Sequence, residues 1–119
     1  MSDLPSVLPG IDIATGLSRV AGNKKLYLKL LRHVATDVPA TLEKLSAAVA
    51  GKDAHAVREI AHSLKGASAN LSITDVAASA EHLESAAKEE DFAAIATHVT
   101  GLEEVLQRYV AIIATLGDL

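Results

Sequence analysis

The chain has 119 residues, with 11 lysine and arginine residues against 15 aspartate and glutamate residues, and no cysteine. This length fits one domain, and the missing cysteines exclude disulfide scaffolds, thiol catalysis and cysteine-based zinc sites. The net charge of -4 argues against a nucleic-acid partner, because such proteins normally carry a clustered basic face.

The polarity of the chain bears on where the protein acts. No apolar run approaches the roughly 20 residues that cross a membrane. The N-terminal residues also lack the basic region and apolar stretch of a signal peptide. We therefore expect a cytoplasmic domain that makes no membrane contact itself.

The N-terminal part is predicted to be an irregular leader over residues 1–10 followed by a short helix. Pro5, Pro9 and Gly10 interrupt the leader. Asp12 is a plausible N-cap for a helix that reaches about Val20.

A long helix is predicted from Asn23 to Ala50, where Gly51 stops it. Pro39 lies inside this segment and is expected to kink the helix or to split it into two pieces. The apolar residues recur at intervals of three or four, which is the pattern of one helical face. They are Leu26, Leu30, Val34, Val38, Leu42, Leu45 and Val49.

Three further caps divide the rest of the chain into three helices. Asp53 begins one that breaks near residues 70–72, Ser72 or Thr74 begins one that ends around Lys88, and Asp91 begins the last. The residues of the first helix that are predicted to face inward are Val57, Ile60, Leu64, Ala67 and Leu71. Those of the second helix are Val76, Ala80, Leu83 and Ala87. Those of the third helix are Ile95, Val99, Leu102, Val105 or Leu106, Tyr109 and Ile113.

Short connections between long amphipathic helices imply antiparallel neighbours. The sequence therefore predicts an all-α protein, an antiparallel up-down four-helix bundle over about residues 11–116, with a short N-terminal helix capping one end. Residues 1–119 are predicted to form a single domain.

One histidine lies on the wrong face of its helix for a core residue. At about 100° per residue, His62 falls nearly opposite the apolar stripe and points to solvent. Gly66, one turn later on the same outer face, costs about 1 kcal/mol relative to alanine in a helix. A glycine kept there suggests close approach of another molecule, and Lys65 places a cation beside the ring. An exposed imidazole, a cleared surface and a cation together suit a phosphoryl carrier.

Two other interpretations stay open at this point. A carboxylate–histidine metal site in a bundle needs paired Glu-x-x-His motifs that project inward, whereas Glu59 and His62 form a single match that faces outward. A purely structural or protein-interaction bundle without phosphotransfer would make His62 an ordinary solvated side chain, but it leaves Lys65 and Gly66 unexplained.

The segment Ala61–Leu71 resembles the signature of the histidine-containing phosphotransfer (HPt) domain, whose core is His-x-Leu-Lys-Gly-x-Ser. Residues 16–23 and 26–31 are similar to the opening helices of HPt modules in hybrid sensor kinases. The resemblance covers roughly residues 11–116. Many family members have glycine where this chain has Ser72. We expect a changed turn there without loss of function, since serine can still cap the next helix.

The resemblance implies a function for the site. His62 would accept a phosphoryl group on Nε2 from the aspartate of a receiver domain and pass it to another receiver domain. Lys65 would offset the charge of the phosphorylated ring, and Gly66 would let the receiver approach. A polar residue on the following helix would orient the ring, and the two candidates, Glu84 and Glu81, stay open beside the alternative that both are solvated carboxylates.

The expected partners are receiver domains of a response regulator, of a hybrid sensor histidine kinase, or of both. Partner contacts are assigned to Ile13, Leu17, Arg58 and Ala69, with Leu28 or Leu31 as further candidates, although the apolar ones among them could instead pack the short helix onto the bundle. We expect no cofactor in this chain, because Mg²⁺ would come from the receiver. The sequence also has no glycine-rich phosphate loop, so we expect a carrier that neither binds ATP nor phosphorylates itself. The resemblance implies that this carrier is a monomer.

Overall fold

A computed structural model describes residues 4–116, so the ends of the predicted domain, residues 1–3 and 117–119, lie outside the described residues. The described chain forms the helices α1 Ile13–Arg19, α2 Lys24–Ala50, α3 Ala54–Asn70, α4 Thr74–Lys88 and α5 Phe92–Ala114. It contains no strand, and only an isolated bridge joins Leu8 and Ile11.

Helices α2 to α5 form the predicted four-helix bundle. Each of the four contacts its two neighbours in a closed ring, and α3 packs most extensively against α4. The connections 51–53, 71–73 and 89–91 are short, so consecutive helices run antiparallel. Helix α1 lies at one end, where the amide of Asp12 donates to the carbonyl of Ser72 at 2.8 Å. None of the helices within residues 4–116 combines the length and the apolar character that a bilayer crossing requires.

Four of the five helices begin at the residues that the sequence predicts. The side chains of Asp12, Asn23, Asp53 and Asp91 each accept a hydrogen bond from the amide three residues later. These bonds satisfy amides that have no partner inside the helix. The cap pattern thus fixes where these four helices begin.

The predicted cap of α4 is wrong. The N-cap is Ile73, which gives no side-chain hydrogen bond. The hydroxyl of Thr74 instead donates to the carbonyl of Gly10 in the leader at 3.1 Å. Ser72 adopts a left-handed conformation with φ of 57°, the conformation that glycine favours at this turn. The backbone therefore keeps a left-handed residue here even though the side chain is not that of glycine.

Helix α2 is continuous through Pro39, so the predicted split does not occur. Pro39 is exposed, and water can therefore reach the carbonyl that loses its amide partner. The buried face in the first half of α2 also differs from the prediction. Tyr27 and Leu31 are fully buried, whereas Leu26 is 41% exposed.

Helix α3 is also rotated relative to the predicted face. Ala61 and Ser68 are fully buried, whereas Ala67 is exposed. Together with Ala80 on α4, these are small side chains, and small side chains let two helices approach closely. The reason for the error is that the fully buried residues of α3, which are Val57, Ala61 and Ser68, do not follow the line of its largest apolar side chains.

Two buried tyrosines join the helices at the end of the bundle where α1 lies. The hydroxyl of Tyr27 donates to the carbonyl of Leu71, and that of Tyr109 donates to the carbonyl of Leu31, both at 2.6 Å. Burial raises the pKa of Tyr27 to about 12, so its hydroxyl keeps its proton across the physiological range. Gly16 of α1 lies directly over the Tyr27 ring and hydroxyl.

We expect Gly16→Ala to lower the free energy of unfolding by about 1–3 kcal/mol, because the new methyl group would overlap the Tyr27 hydroxyl. Urea unfolding followed by circular dichroism measures this change. Gly101→Ala is the matched control, since a Cβ there meets no atom within 4 Å. The control should gain up to about 1 kcal/mol from helix propensity. Equal effects of the two substitutions would contradict the packing of α1 through Gly16.

Candidate functional site

The candidate site lies where the outer side of α3 meets α4. The His62 side chain is 70% exposed, as the helical spacing predicts, whereas the Glu84 side chain of α4 is only 7% exposed. The Nδ1 atom of His62 and the Oε2 atom of Glu84 are 2.8 Å apart. A buried carboxylate thus holds one ring nitrogen of an exposed imidazole.

The second oxygen of Glu84 binds a cation. The Nζ atom of Lys65 lies 2.7 Å from Oε1 of Glu84. The hydrogen bond from Lys65 lowers the pKa of Glu84 despite its burial, and the same bond raises the pKa of Lys65. Glu84 is therefore ionised and Lys65 protonated at neutral pH.

The ionised carboxylate determines the tautomer of the ring. A carboxylate without a proton can only accept, so Nδ1 of His62 carries the hydrogen and donates it to Glu84. In the neutral ring the other nitrogen, Nε2, then has the lone pair. Nε2 is therefore the reactive nitrogen of this exposed ring. The bond from Nδ1 to Glu84, on the opposite side of the ring, fixes the orientation of Nε2.

The packing of α3 on α4 explains why Glu84 can reach the ring. Ala61 precedes His62 and is fully buried, and Leu83 precedes Glu84 and is fully buried. Each functional residue therefore follows a core residue that fixes its helix. Glu81, the alternative candidate, is exposed and lines the surface next to Gly66, so the ring contact belongs to Glu84.

One side of His62 is open. A Cβ at Gly66 would meet no atom within 4 Å, so the glycine leaves free space where any side chain would project. Gly66, Ala69, Ala77 and Ala78 line a shallow depression there. Charged residues also line this depression, so the small side chains form the part of it that another molecule can approach closely. These charged residues are Asp12, Arg19, Lys65 and Glu81.

The other side of His62 carries positive charge. A second depression there is lined by three cations, two carboxylates and two histidines: Arg58, Lys65, Lys88, Glu59, Glu84, His55 and His62. Lys88 was not identified from the sequence. Its position four residues after Glu84 places it on the same face of α4, and this spacing is the signal that could have found it.

The site contains no preformed metal centre. Among residues 4–116, no group of three or more histidine, aspartate or glutamate side chains is arranged to hold an ion. A metal site inside a bundle would also need a pair of Glu-x-x-His motifs that project inward. His62 faces solvent, so it does not supply such a motif.

Comparison with known proteins gives the family. The profile of the Hpt domain matches residues 29–112, which is more than half of the chain. The chain belongs to the Hpt domain family. Members of this family carry phosphoryl groups on histidine in phosphorelays, and receiver domains are their partners, so the chain is a histidine phosphotransfer module.

A solved structure supports the same assignment. The fold is similar to that of histidine-containing phosphotransfer protein B (HptB) from Pseudomonas aeruginosa PAO1, with a TM-score of 0.81 and 25% sequence identity. The similarity covers 92% of this chain and 95% of that chain. No curated protein matches the sequence.

The residues assigned to partner contacts do not all lie on the surface of this Hpt domain. Arg58 and Ala69 are exposed on either side of His62, and Leu17 is half-buried. Ile13 is only 6% exposed and lies in the core. This burial favours the packing alternative for Ile13, because a core side chain cannot contact a docking protein. Leu28 and Leu31 are also buried, and their burial favours the packing alternative in the same way.

Ser68 corresponds to the serine of the Hpt signature and lies in the core of the bundle. Its side chain is fully buried, and its hydroxyl finds no hydrogen-bond partner within the described chain. We expect Ser68→Ala to raise the free energy of unfolding by about 1 kcal/mol, because an unsatisfied buried hydroxyl is lost. Urea unfolding measures this, with the exposed Ser63→Ala as the control. A loss of stability at position 68 would show that the hydroxyl is bonded in solution.

Proposed function

We propose that Nε2 of His62 is the atom that carries the phosphoryl group between receiver-domain aspartates. The observation that supports this assignment is the 2.8 Å contact between Nδ1 of His62 and the buried carboxylate of Glu84. It leaves the lone pair on Nε2, the nitrogen of an exposed ring. A nucleophile held in this way needs no strong base, only orientation.

The transfer step follows from this arrangement. The Nε2 lone pair attacks the phosphorus of the receiver's aspartyl phosphate, a bond forms between nitrogen and phosphorus, and the bond from phosphorus to the carboxylate oxygen breaks. The aspartate leaves as a carboxylate. The hydrogen on Nδ1 stays in its bond to Glu84, and the negative charge of Glu84 stabilises the positive charge that the ring gains. The reverse step delivers the group to a second receiver.

Lys65 balances the charges of the phosphorylated state. In the unphosphorylated protein it neutralises Glu84, its partner at 2.7 Å. A phosphoryl group on the ring adds negative charge nearby, which the cations Lys65, Arg58 and Lys88 around the depression offset. These charges slow the loss of the phosphoryl group to water by holding its oxygens.

The receiver docks over the open side of the site. Gly66 and Ala69 offer a surface without large side chains, and the exposed Arg58 lines the depression on the other side of His62. The half-buried Leu17 of α1 remains a candidate contact. The active-site loops of a receiver can therefore reach Nε2. Ile13 acts indirectly, by packing α1 in place.

The protein acts as a carrier only, without ATP binding or autokinase activity, and Mg²⁺ enters with the receiver's aspartate site. We propose that it is a cytoplasmic monomer that binds no nucleic acid, either free-standing or as the cytoplasmic module of a membrane-bound sensor kinase. The net charge of -4 supports the absence of a nucleic-acid partner.

Two labelling reactions test this function. The full chain is incubated with receiver domains that carry radiolabelled aspartyl phosphate, and separately with radiolabelled ATP and Mg²⁺. We expect acid-labile, alkali-stable label from the phosphorylated receivers and none from ATP alone. Label from ATP alone would contradict the carrier role, and no transfer from a broad panel of receivers would contradict the shuttle.

The role of Gly66 is tested by adding a side chain to the open surface. We expect Gly66→Gln to slow phosphoryl transfer roughly 10- to 100-fold, because the receiver no longer reaches Nε2 in a productive position. Glutamine is the better helix former, so the free energy of unfolding should rise by about 0.5 kcal/mol. Rapid-quench transfer kinetics and urea unfolding measure the two effects.

Gly101→Gln is the matched control, since Gly101 is also a mid-helix glycine with open space around its Cβ position. It should gain similar stability and transfer phosphoryl at the wild-type rate. Unchanged transfer by Gly66→Gln would remove the close-approach argument.

A further inference from the structure

A second pair of histidines lies on the side of α4 that faces α5. The ring centres of His82 and His98 are 5.7 Å apart, and the ring planes are inclined by 41°. His82 precedes Glu84 by two residues but points to the other side of α4, because Glu84 contacts α3. The pair is therefore separate from the phosphotransfer site.

The fold holds the two rings together. Helices α4 and α5 run antiparallel and are joined by the connection 89–91, and His82 and His98 are equally distant along the chain from Glu90 in that connection. Leu83 and Ile95 nearby are fully buried, so both helices are fixed by core residues. The pairing of the rings follows from the register of two packed helices and needs no flexible loop.

The separation of the rings fits one metal ion between them. A nitrogen–metal bond is about 2.0–2.1 Å long, and the nitrogen of an imidazole lies about 1.2 Å from the ring centre. Two imidazoles on one roughly tetrahedral ion, with a nitrogen–metal–nitrogen angle of about 100–125°, therefore have ring centres about 5–6 Å apart. The observed 5.7 Å lies in this range. We propose that His82 and His98 together bind a divalent transition-metal ion of the Cu²⁺, Ni²⁺ and Zn²⁺ class.

The remaining coordination positions of the metal ion are open. No third histidine, aspartate or glutamate joins the pair within residues 4–116, so water completes the coordination. Gly101 lies three residues after His98, and a Cβ there would meet no atom within 4 Å, which leaves room for that water. Two protein ligands give a reversible site, in contrast to the closed four-ligand sites that proteins use for structure.

The ligand type sets the metal preference. Imidazole nitrogens suit copper, nickel and zinc, and their affinity for Cu²⁺ is higher than for Ni²⁺ or Zn²⁺. Mg²⁺ prefers oxygen ligands and binds elsewhere, on the receiver. The ion would join α4 to α5 and so stabilise the helix that carries Glu84, because it binds the folded chain at a site that unfolding destroys.

The test uses Cu²⁺ and Zn²⁺ with the full chain. With one equivalent of Cu²⁺, electron paramagnetic resonance should show two nitrogen ligands in the wild type, and Zn²⁺ should raise the thermal midpoint. His82→Gln and His98→Gln should each lose the two-nitrogen spectrum and the midpoint shift. Mg²⁺ should give neither effect.

Three histidines serve as matched controls. His33 and His55 each lie beside a carboxylate one turn later on their own helix, and His62 lies beside Glu84. The variants His33→Gln, His55→Gln and His62→Gln should each keep the wild-type spectrum and midpoint shift. Retained binding in either His82→Gln or His98→Gln, or loss of binding in any control, would place the metal elsewhere and overturn the proposal. Circular dichroism confirms that each variant is folded.

Discussion

His62→Gln should abolish phosphoryl acceptance from a phosphorylated receiver while leaving the bundle folded. The substitution removes the only group in the account that attacks phosphorus. Because the His62 side chain is 70% exposed, its loss should change the free energy of unfolding by no more than about 0.5 kcal/mol. Transfer of label and urea unfolding, measured on the same preparation, give the two quantities.

The matched control is His33→Gln, which alters an exposed histidine of α2 that lines neither depression beside His62. It should accept label at the wild-type rate. Label that persists in His62→Gln would assign the nucleophile to another residue. Wild-type signalling by the variant would favour a structural bundle without phosphotransfer.

Glu84→Gln should slow transfer by roughly 10- to 100-fold, the loss typical when a group that orients a reactive imidazole is replaced. An amide can donate as well as accept, so it no longer selects the tautomer with the hydrogen on Nδ1. It also cannot offset the positive charge that the phosphorylated ring gains. Rapid-quench kinetics with a saturating phosphorylated receiver measure the rate of the transfer step.

Glu81→Gln is the control for Glu84, because Glu81 lies one turn earlier on α4 and is exposed. It removes the same charge from the same helix and should leave the transfer step unchanged. Equal slowing by the two variants would show that the general negative charge matters and that the contact with Nδ1 does not. Lys65 adds a second readout, because the bond to Glu84 is the first cause of its raised pKa and the charge of Glu81 the last. The pKa of Lys65 should therefore fall more in Glu84→Gln than in Glu81→Gln.

The ends of the helices could be predicted well because caps are local. Asp12, Asn23, Asp53 and Asp91 accept hydrogen bonds from amides three residues away, so neighbouring residues decide where each helix begins. The prediction of the cap of α4 failed because the contacts at the start of this helix are long-range. Thr74 donates to Gly10 of the leader, and the left-handed Ser72 depends on the path of the whole connection.

The core faces could be predicted only in part, because an apolar stripe shows that a helix is amphipathic and does not show which neighbour it meets. On α3 the largest apolar residues suggest a face through Ala67, whereas Ala67 is exposed and Ala61 and Ser68 are fully buried. Tyr27 was likewise not counted as a core residue. Its hydroxyl is satisfied by the carbonyl of Leu71, which is distant in sequence.

The candidate site divides in the same way. His62, Lys65 and Gly66 belong to one helix, so their spacing alone predicts a shared outer face. The choice between Glu84 and Glu81 could not be made from spacing, since it depends on how α4 is rotated against α3. In the structure the buried side chain of Glu84 lies 2.8 Å from Nδ1 of His62, whereas Glu81 is exposed.

The most direct test of the account identifies the phosphorylated atom. The chain is labelled with ¹⁵N-histidine, phosphorylated by a receiver, and examined by NMR for coupling between phosphorus and a ring nitrogen. We expect coupling to Nε2 of His62, with the hydrogen retained on Nδ1 towards Glu84. Phosphorus on Nδ1 of His62, or on any other histidine, would contradict this assignment.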